Sequence, residues 1–333
     1  MTNHLAMLYT IYYRPNMNDK LKQLTEKKRR LDKFRPFPPE LVKNLEDWFR
    51  VELTYNSNAI EGNTLSRNET ALVVEKGITV EGKTLQEHLE AINHAQALEF
   101  IKSLIKKKSQ DISQKDILDI QRIILGKIDD TNAGRYRNVP VRIAGTTTIM
   151  PNPANVPKLM DNFEKWLHSP SKDHPVKISA DAHYKLVSIH PFIDGNGRTA
   201  RLLMNLLLMQ EGYPPAVIKK EERRRYINSL EKAQTGGSLN DYYELIYGAV
   251  DYSLNIYLES IEVTLLKIGD LAKQTGETIY TIRFWTKEGL LTVKDFTKGG
   301  YQLYEPSMIK KAEEIRRLQN KKRLTIAEIK KKL

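Results

Sequence analysis

The chain has 333 residues, 40% hydrophobic and 28% charged, with a formal net charge of +12. That length allows two or more domains with proper cores, and the positive balance points to an anionic partner. There is no cysteine, which excludes a disulfide framework and a thiolate zinc site. Without a run of 18 apolar residues or a basic leader before a long apolar stretch, neither a membrane span nor a secretory signal is expected, and the expected location is cytoplasmic.

Most of the chain carries a helical period. Residues 17–33 are basic and polar (Lys20, Lys22, Lys27, Lys28, Arg29, Arg30, Lys33) and predict an exposed helix or arm. Residues 39–55 place Leu41, Leu45, Trp48, Phe49 and Leu53 on one helical face. Ser57 and Glu61 follow, four apart and so on one face, and Gly62 suits a left-handed stop. Residues 85–105 form a second apolar helix, and Ser113 is placed to cap a third that carries Ile117, Ile120 and Ile124. Residues 136–149 break the pattern. Val139, Val141 and Ile143 alternate with Pro140 and Arg142, ahead of Gly145, which predicts a β-hairpin. Further helices are predicted over 155–167, 178–189, 199–210, 221–233 and 239–261, the last rich in tyrosine.

The densest chemistry lies in His190-Pro191-Phe192-Ile193-Asp194-Gly195-Asn196-Gly197-Arg198-Thr199-Ala200-Arg201, just ahead of an apolar helical run. A helix N-terminus offers unpaired N–H groups and the positive end of a dipole. Glycines let the backbone approach a phosphate, and arginines add bidentate donors. Asp194 can hold a divalent cation between phosphates, and His190 can take a proton from an attacking hydroxyl.

The stretch fits the pattern H-x-F-x-[D/E]-G-N-G-R-x-x-R at every specified position and so resembles the Fic family. That resemblance implies transfer of AMP from ATP to a Ser, Thr or Tyr hydroxyl of a target protein or of the chain itself. His190 would be the base and Asp194 the Mg²⁺ ligand. Gly195, Asn196, Gly197, Arg198 and Arg201 would hold the phosphates, with Phe192 anchoring the loop. The segment Ser57-Asn58-Ala59-Ile60-Glu61-Gly62 resembles the family's inhibitory signature [S/T]-x-x-x-E-[G/N], in which the glutamate would pair with Arg201. The residues alone also fit a plain helix end. The hairpin, with Gly134-Arg135-Tyr136-Arg137 before it, resembles the family's flap, where Val139, Val141 and Ile143 would receive a target strand; an ordinary surface hairpin remains open. Two alternatives stand beside AMP transfer: removal of AMP with Glu61 as base, and a chain that is chiefly a DNA-binding transcriptional regulator.

From Leu265 to the end the chain carries 16 Lys or Arg against 8 Asp or Glu, two-thirds of the net charge in about a fifth of the length. Residues 268–285 read as helix, Gly276 turn, helix, followed by Gly289-Leu290-Leu291 and a wing at Gly299-Gly300-Tyr301-Gln302-Leu303-Tyr304. The order resembles the MerR-type winged helix, with Gln302 where the family has arginine. The resemblance implies DNA contact through Thr281 and Arg283; a basic module for protein docking stays open, as does a homodimer. The expected fold is mostly α: a helical region with the inhibitory motif (1–110), a Fic core (111–237), a linking helix (238–264) and a winged helix-turn-helix (265–333).

Overall fold

The structure, a computed structural model, describes residues 16–108, 111–142, 148–297 and 299–332, without the side chains of residues 263, 264, 321 and 322. The chain divides into two units. One comprises residues up to Asp32 together with Pro38–Asn255, and the other Lys33–Phe37 with Ile256–Leu333.

The first unit contains α1 (Met17–Asp32), α2 (Pro39–Glu61), α3 (Arg67–Lys76), α4 (Leu85–Leu104), α5 (Gln114–Leu125), α6 (Val156–His168), α7 (Pro175–Ile189), α8 (Asn196–Gln210) and α9 (Arg223–Gln234), with α10 (Asn240–Thr264) beginning in it. Local chemistry marks the boundaries. Ser66, Thr84 and Ser113 each accept from the N3 backbone while Glu69, Glu87 and Asp116 reach back to the cap N–H. Each such cap is worth about 0.5–2 kcal/mol. The basic segment expected as an exposed helix or arm is helix α1, and it sinks Leu24 and Leu31 into the core.

Helix α8 is buried on nearly all sides. Leu202, Leu203, Met204, Leu206, Leu207 and Leu208 are all buried, which suits a helix enclosed by others. It packs chiefly on α7, and also on α2, α4 and α5. The turn between α7 and α8 therefore stands on a rigid base, and that turn holds the residues from His190 to Gly195.

One expectation is corrected here. Among the described residues of 136–149 there is no strand; residues 143–147, and with them Ile143, lie outside the described residues. The reason is visible in Arg137, a buried side chain whose guanidinium takes the carbonyls of Val139, Pro151 and His190. Of these, the Val139 carbonyl lies in the stretch and is taken by a side chain rather than by a ladder. Val139 is exposed and Val141 partly so.

The second unit is built on its own core of Leu271, Ile282, Trp285, Leu290, Tyr304, Ile315 and neighbours. Helix α11 (Ile268–Thr275) stops at left-handed Gly276, and Thr278 caps α12 (Ile279–Lys287). The wing is a hairpin of β2 (Asp295–Phe296) and β3 (Gln302–Tyr304). A short β1 (Leu266–Lys267) adds to it, giving an antiparallel order β1-β3-β2 with Leu266 opposite Tyr304. Helices α13 (Ser307–Lys322) and α14 (Ile326–Lys330) complete the unit.

Candidate active site

His190 ends α7 in the left-handed region, φ 51°, a conformation that costs a non-glycine residue energy and that the surrounding turn must impose. The clasp is Arg137. Its Nε donates to the His190 carbonyl at 2.8 Å, and its own backbone N–H donates to the Pro191 carbonyl at 2.9 Å. The His190 Nδ1 lies 3.4 Å from the Val187 carbonyl. A carbonyl only accepts, so Nδ1 carries the proton and Nε2 keeps its lone pair. Burial pushes the imidazole below its ordinary pKa, which keeps it neutral and able to act as a base.

Phe192 is fully buried, and its backbone N–H and carbonyl are both bonded to the Asn196 side chain at 2.9 Å. The Asn196 amide is thus committed to closing the loop. Gly195 caps α8 at φ 81° with Ile124 beside it, where a Cβ would stand 3.2 Å from a methyl group. Gln121, a polar residue at an otherwise apolar position of α5, donates to the Asp194 carbonyl at 3.1 Å and accepts from Gly134 N–H. That is a supporting residue which motif reasoning passed over; the signal was a glutamine among Ile117, Ile120 and Ile124.

Two arginines point into the first turn of α8. The Arg198 side chain is 3% exposed; its Nη2 donates to Asp194 Oδ2 at 3.1 Å, and Nη1 stands 3.5 Å from Glu90 Oε1. The Arg201 side chain is 6% exposed and is held from α2: Nε to Ser57 Oγ at 2.9 Å, Nη2 to the Ser57 carbonyl at 2.9 Å and to Glu61 Oε1 at 2.7 Å. Burial alone would raise the Glu61 pKa, but Arg201, with Arg198 and Arg223 beyond, holds it below the ordinary carboxylate value. A Cβ on Gly197 would strike the Glu61 carboxylate, so the glutamate lies against the first turn of the helix. Three buried guanidinium nitrogens, Arg198 Nε and Nη1 and Arg201 Nη1, have no hydrogen-bond acceptor. Unpaired buried donors of a cation are costly, and here they line a helix N-terminus, a place fitted to an anion of several oxygens.

Solved structures share this arrangement of chain. Fic-1 from C. elegans superposes with a TM-score of 0.68 at 32% identity, covering 78% of this chain and 75% of that one. The chain belongs to the Fic family. A Fic domain containing signaling protein from Bacteroides thetaiotaomicron is similarly related, at TM-score 0.65 and 31% identity over 72% of this chain and 97% of that one. Residues 111–208 match the Fic/DOC family, and residues 266–333 match the MerR HTH family regulatory protein. The protein adenylyltransferase Fic of Aedes aegypti is 39% identical over 236 residues, and that of Drosophila melanogaster 41% over 206. The chain spans under half the length of these curated relatives, 47% and 41% respectively.

Proposed function

We propose that this Fic chain is an ATP-dependent protein adenylyltransferase restrained by its own Glu61. The observation that carries the reading is the pairing of a neutral, Nε2-open His190 with two buried arginines at one helix N-terminus, one of them captured by a carboxylate. A target Ser, Thr or Tyr hydroxyl would attack the α-phosphate of ATP. The new O–P bond forms as the bond to the β-phosphate oxygen breaks, pyrophosphate leaves, and His190 Nε2 takes the hydroxyl proton. The backbone N–H groups at the start of α8, with Arg198 and Arg201, would hold the β- and γ-phosphates.

Mg²⁺ fits this site only with the nucleotide. Among the described residues no cluster of three or more His, Asp or Glu could hold a metal, and Asp194, with its side chain 57% exposed, supplies one carboxylate. A single carboxylate completed by phosphate oxygens is the usual Mg²⁺ arrangement, and the ion would there neutralise phosphate charge. The non-helical segment with Val139 and Val141, which Arg137 joins to the motif turn, would receive the target segment. The C-terminal unit would bring the chain to DNA: Arg283 is exposed on α12, while Thr281 is partly buried and shares its hydroxyl with Thr278 at 2.9 Å. Among the described residues no helix is long and apolar enough to cross a membrane. Work in the cytoplasm, where ATP is supplied, is the location proposed.

The deciding experiment is Glu61→Gly incubated with α-labelled ATP, alone and in a cell lysate. Freeing Arg201 for the γ-phosphate should raise AMP labelling of targets and of the chain itself at least tenfold. Labelling that falls, together with release of AMP from a modified target by the unaltered chain, would assign Glu61 as the base of the reverse reaction.

A further inference from the structure

Gln121 of α5 is fully buried, among Ile117, Ile120, Ile124 and Leu125. An amide in such a place is costly unless it is hydrogen-bonded. Here both its ends are, and each partner is backbone. Oε1 accepts the Gly134 N–H, and Nε2 donates to the Asp194 carbonyl at 3.1 Å. A backbone N–H only donates and a carbonyl only accepts, so the network assigns the two ends of the amide. Gly134, left-handed at φ 70°, opens the segment whose Arg137 clasps the His190 and Pro191 carbonyls. Gln121 ties the same segment to the far end of the turn, at Asp194.

The Asp194 carbonyl and the Gly195 N–H belong to one peptide unit. That peptide is trans, so the two groups point in opposite directions. With the carbonyl fastened to α5, the N–H is turned to the other side. What it meets there is the Asp194 carboxylate: Gly195 N–H donates to Oδ1 at 2.6 Å, and Arg198 Nη2 donates to Oδ2 at 3.1 Å. A carboxylate shared between a backbone N–H and a guanidinium holds donors suited to a phosphate. The Asp194 side chain is 57% exposed, so it can leave that place without opening the core. The Gly195 carbonyl is already spent on Thr199 N–H, at 2.9 Å, in starting α8.

We propose that Gln121 is a positioning residue that, by holding the Asp194 carbonyl, aims the Gly195 N–H at the β-phosphate of the nucleotide. Arg201 is assigned to the γ-phosphate, which leaves the Arg198 side, where this N–H points, to the β-phosphate. Without Gln121 the 194–195 peptide is free to turn over, a change of backbone angles that glycine permits. A carbonyl would then face the phosphate in place of a donor. The inference rests on the start of α8 being the phosphate site, as in the proposed function.

The test is binding of ADP and AMP by titration calorimetry at one fixed Mg²⁺ concentration, to the full chain with and without Gln121→Met, which keeps the length and removes both hydrogen bonds. ADP has no γ-phosphate, so Glu61 can stay on Arg201 throughout. ADP affinity should fall about tenfold, the scale of one hydrogen bond to a charged group, while AMP affinity stays within twofold because AMP has no β-phosphate. Gln121→Asn, one methylene too short to reach both backbone partners, should give the same selectivity; it decides the matter if the methionine variant does not fold. Equal weakening of ADP and AMP, or no weakening of either, overturns the positioning role. If the unaltered chain binds no ADP, the phosphate site fails and this inference with it. If Glu61→Gly transfers no AMP while the ADP-against-AMP selectivity is found, only the adenylyltransferase reading fails.

Discussion

At the scale of single residues, the site assigns its work by protonation state and by donor count. His190 is held neutral below the ordinary imidazole pKa of 6.5 by burial. A lowered pKa means the proton-free base persists to more acidic pH, so the acid limb of kcat/KM for AMP transfer by the Glu61→Gly protein should fall below pH 6.5, with a plateau through neutrality. A limb centred above 6.5 would remove His190 as the base. His190→Ala should abolish transfer and leave ATP affinity within a few-fold, because in the proposed reaction the imidazole works on the hydroxyl and holds no phosphate. Glu61 is also a stability element. Its removal strands the buried Arg201 charge, a loss of about 3–5 kcal/mol for a fully buried pair, and less here because the Glu61 side chain is 38% exposed. Glu61→Gly should therefore melt lower than the parent without nucleotide and gain more from added ATP. Equal ATP-induced shifts in the two proteins would mean that Arg201 does not exchange the carboxylate for a phosphate.

At the scale of elements, the end of α2 is the part to follow. Asn63, just beyond its Gly62 stop, donates to the Glu87 carbonyl at 3.1 Å and to Glu90 Oε2 at 2.8 Å, and Glu90 in turn faces Arg198. Helix α4 thereby ties the segment proposed to be inhibitory to the first arginine. Asn63→Ala should loosen that tie and raise basal AMP labelling a few-fold, well short of Glu61→Gly; unchanged labelling would show that the α2 end is held without it. Elements were legible where the period is long and a cap is local: Ser113 and its helix, Gly276 before α12, and the wing at Gly299-Gly300 all follow from side chains within a few positions. The motif was legible because its spacing is fixed by one turn and one helix end. What escaped depended on tertiary pairing. Nothing near Arg137 announces that its guanidinium will take the carbonyls of Pro151 and His190 as well as that of Val139, so an alternating stretch read as hairpin strands. Gln121 and Glu90 likewise acquire meaning only once separate helices meet.

At the scale of the whole molecule, the chain joins two units of different chemistry. The named residues of the candidate active site lie before Asn255, while the basic excess is concentrated from Leu265 onward. A chain ending at Ile261 should therefore keep AMP transfer and lose most affinity for duplex DNA. The proposed nucleic-acid face on α12 would be of mixed character: Tyr280 is 80% exposed and Phe284 47%, beside the exposed Arg283. Aromatic rings can lie against sugars and bases, whereas Lys and Arg displace counterions from phosphates. Binding of the full chain should then fall steeply with salt, and Arg283→Ala should relax sequence preference as well as weaken binding. A gel-shift titration at several salt concentrations separates these effects. A loss that is uniform across sequences would make Arg283 a phosphate contact only. Equal DNA binding with and without residues 262–333 would make the C-terminal unit a protein-docking module, and its exposed aromatics the surface to map next.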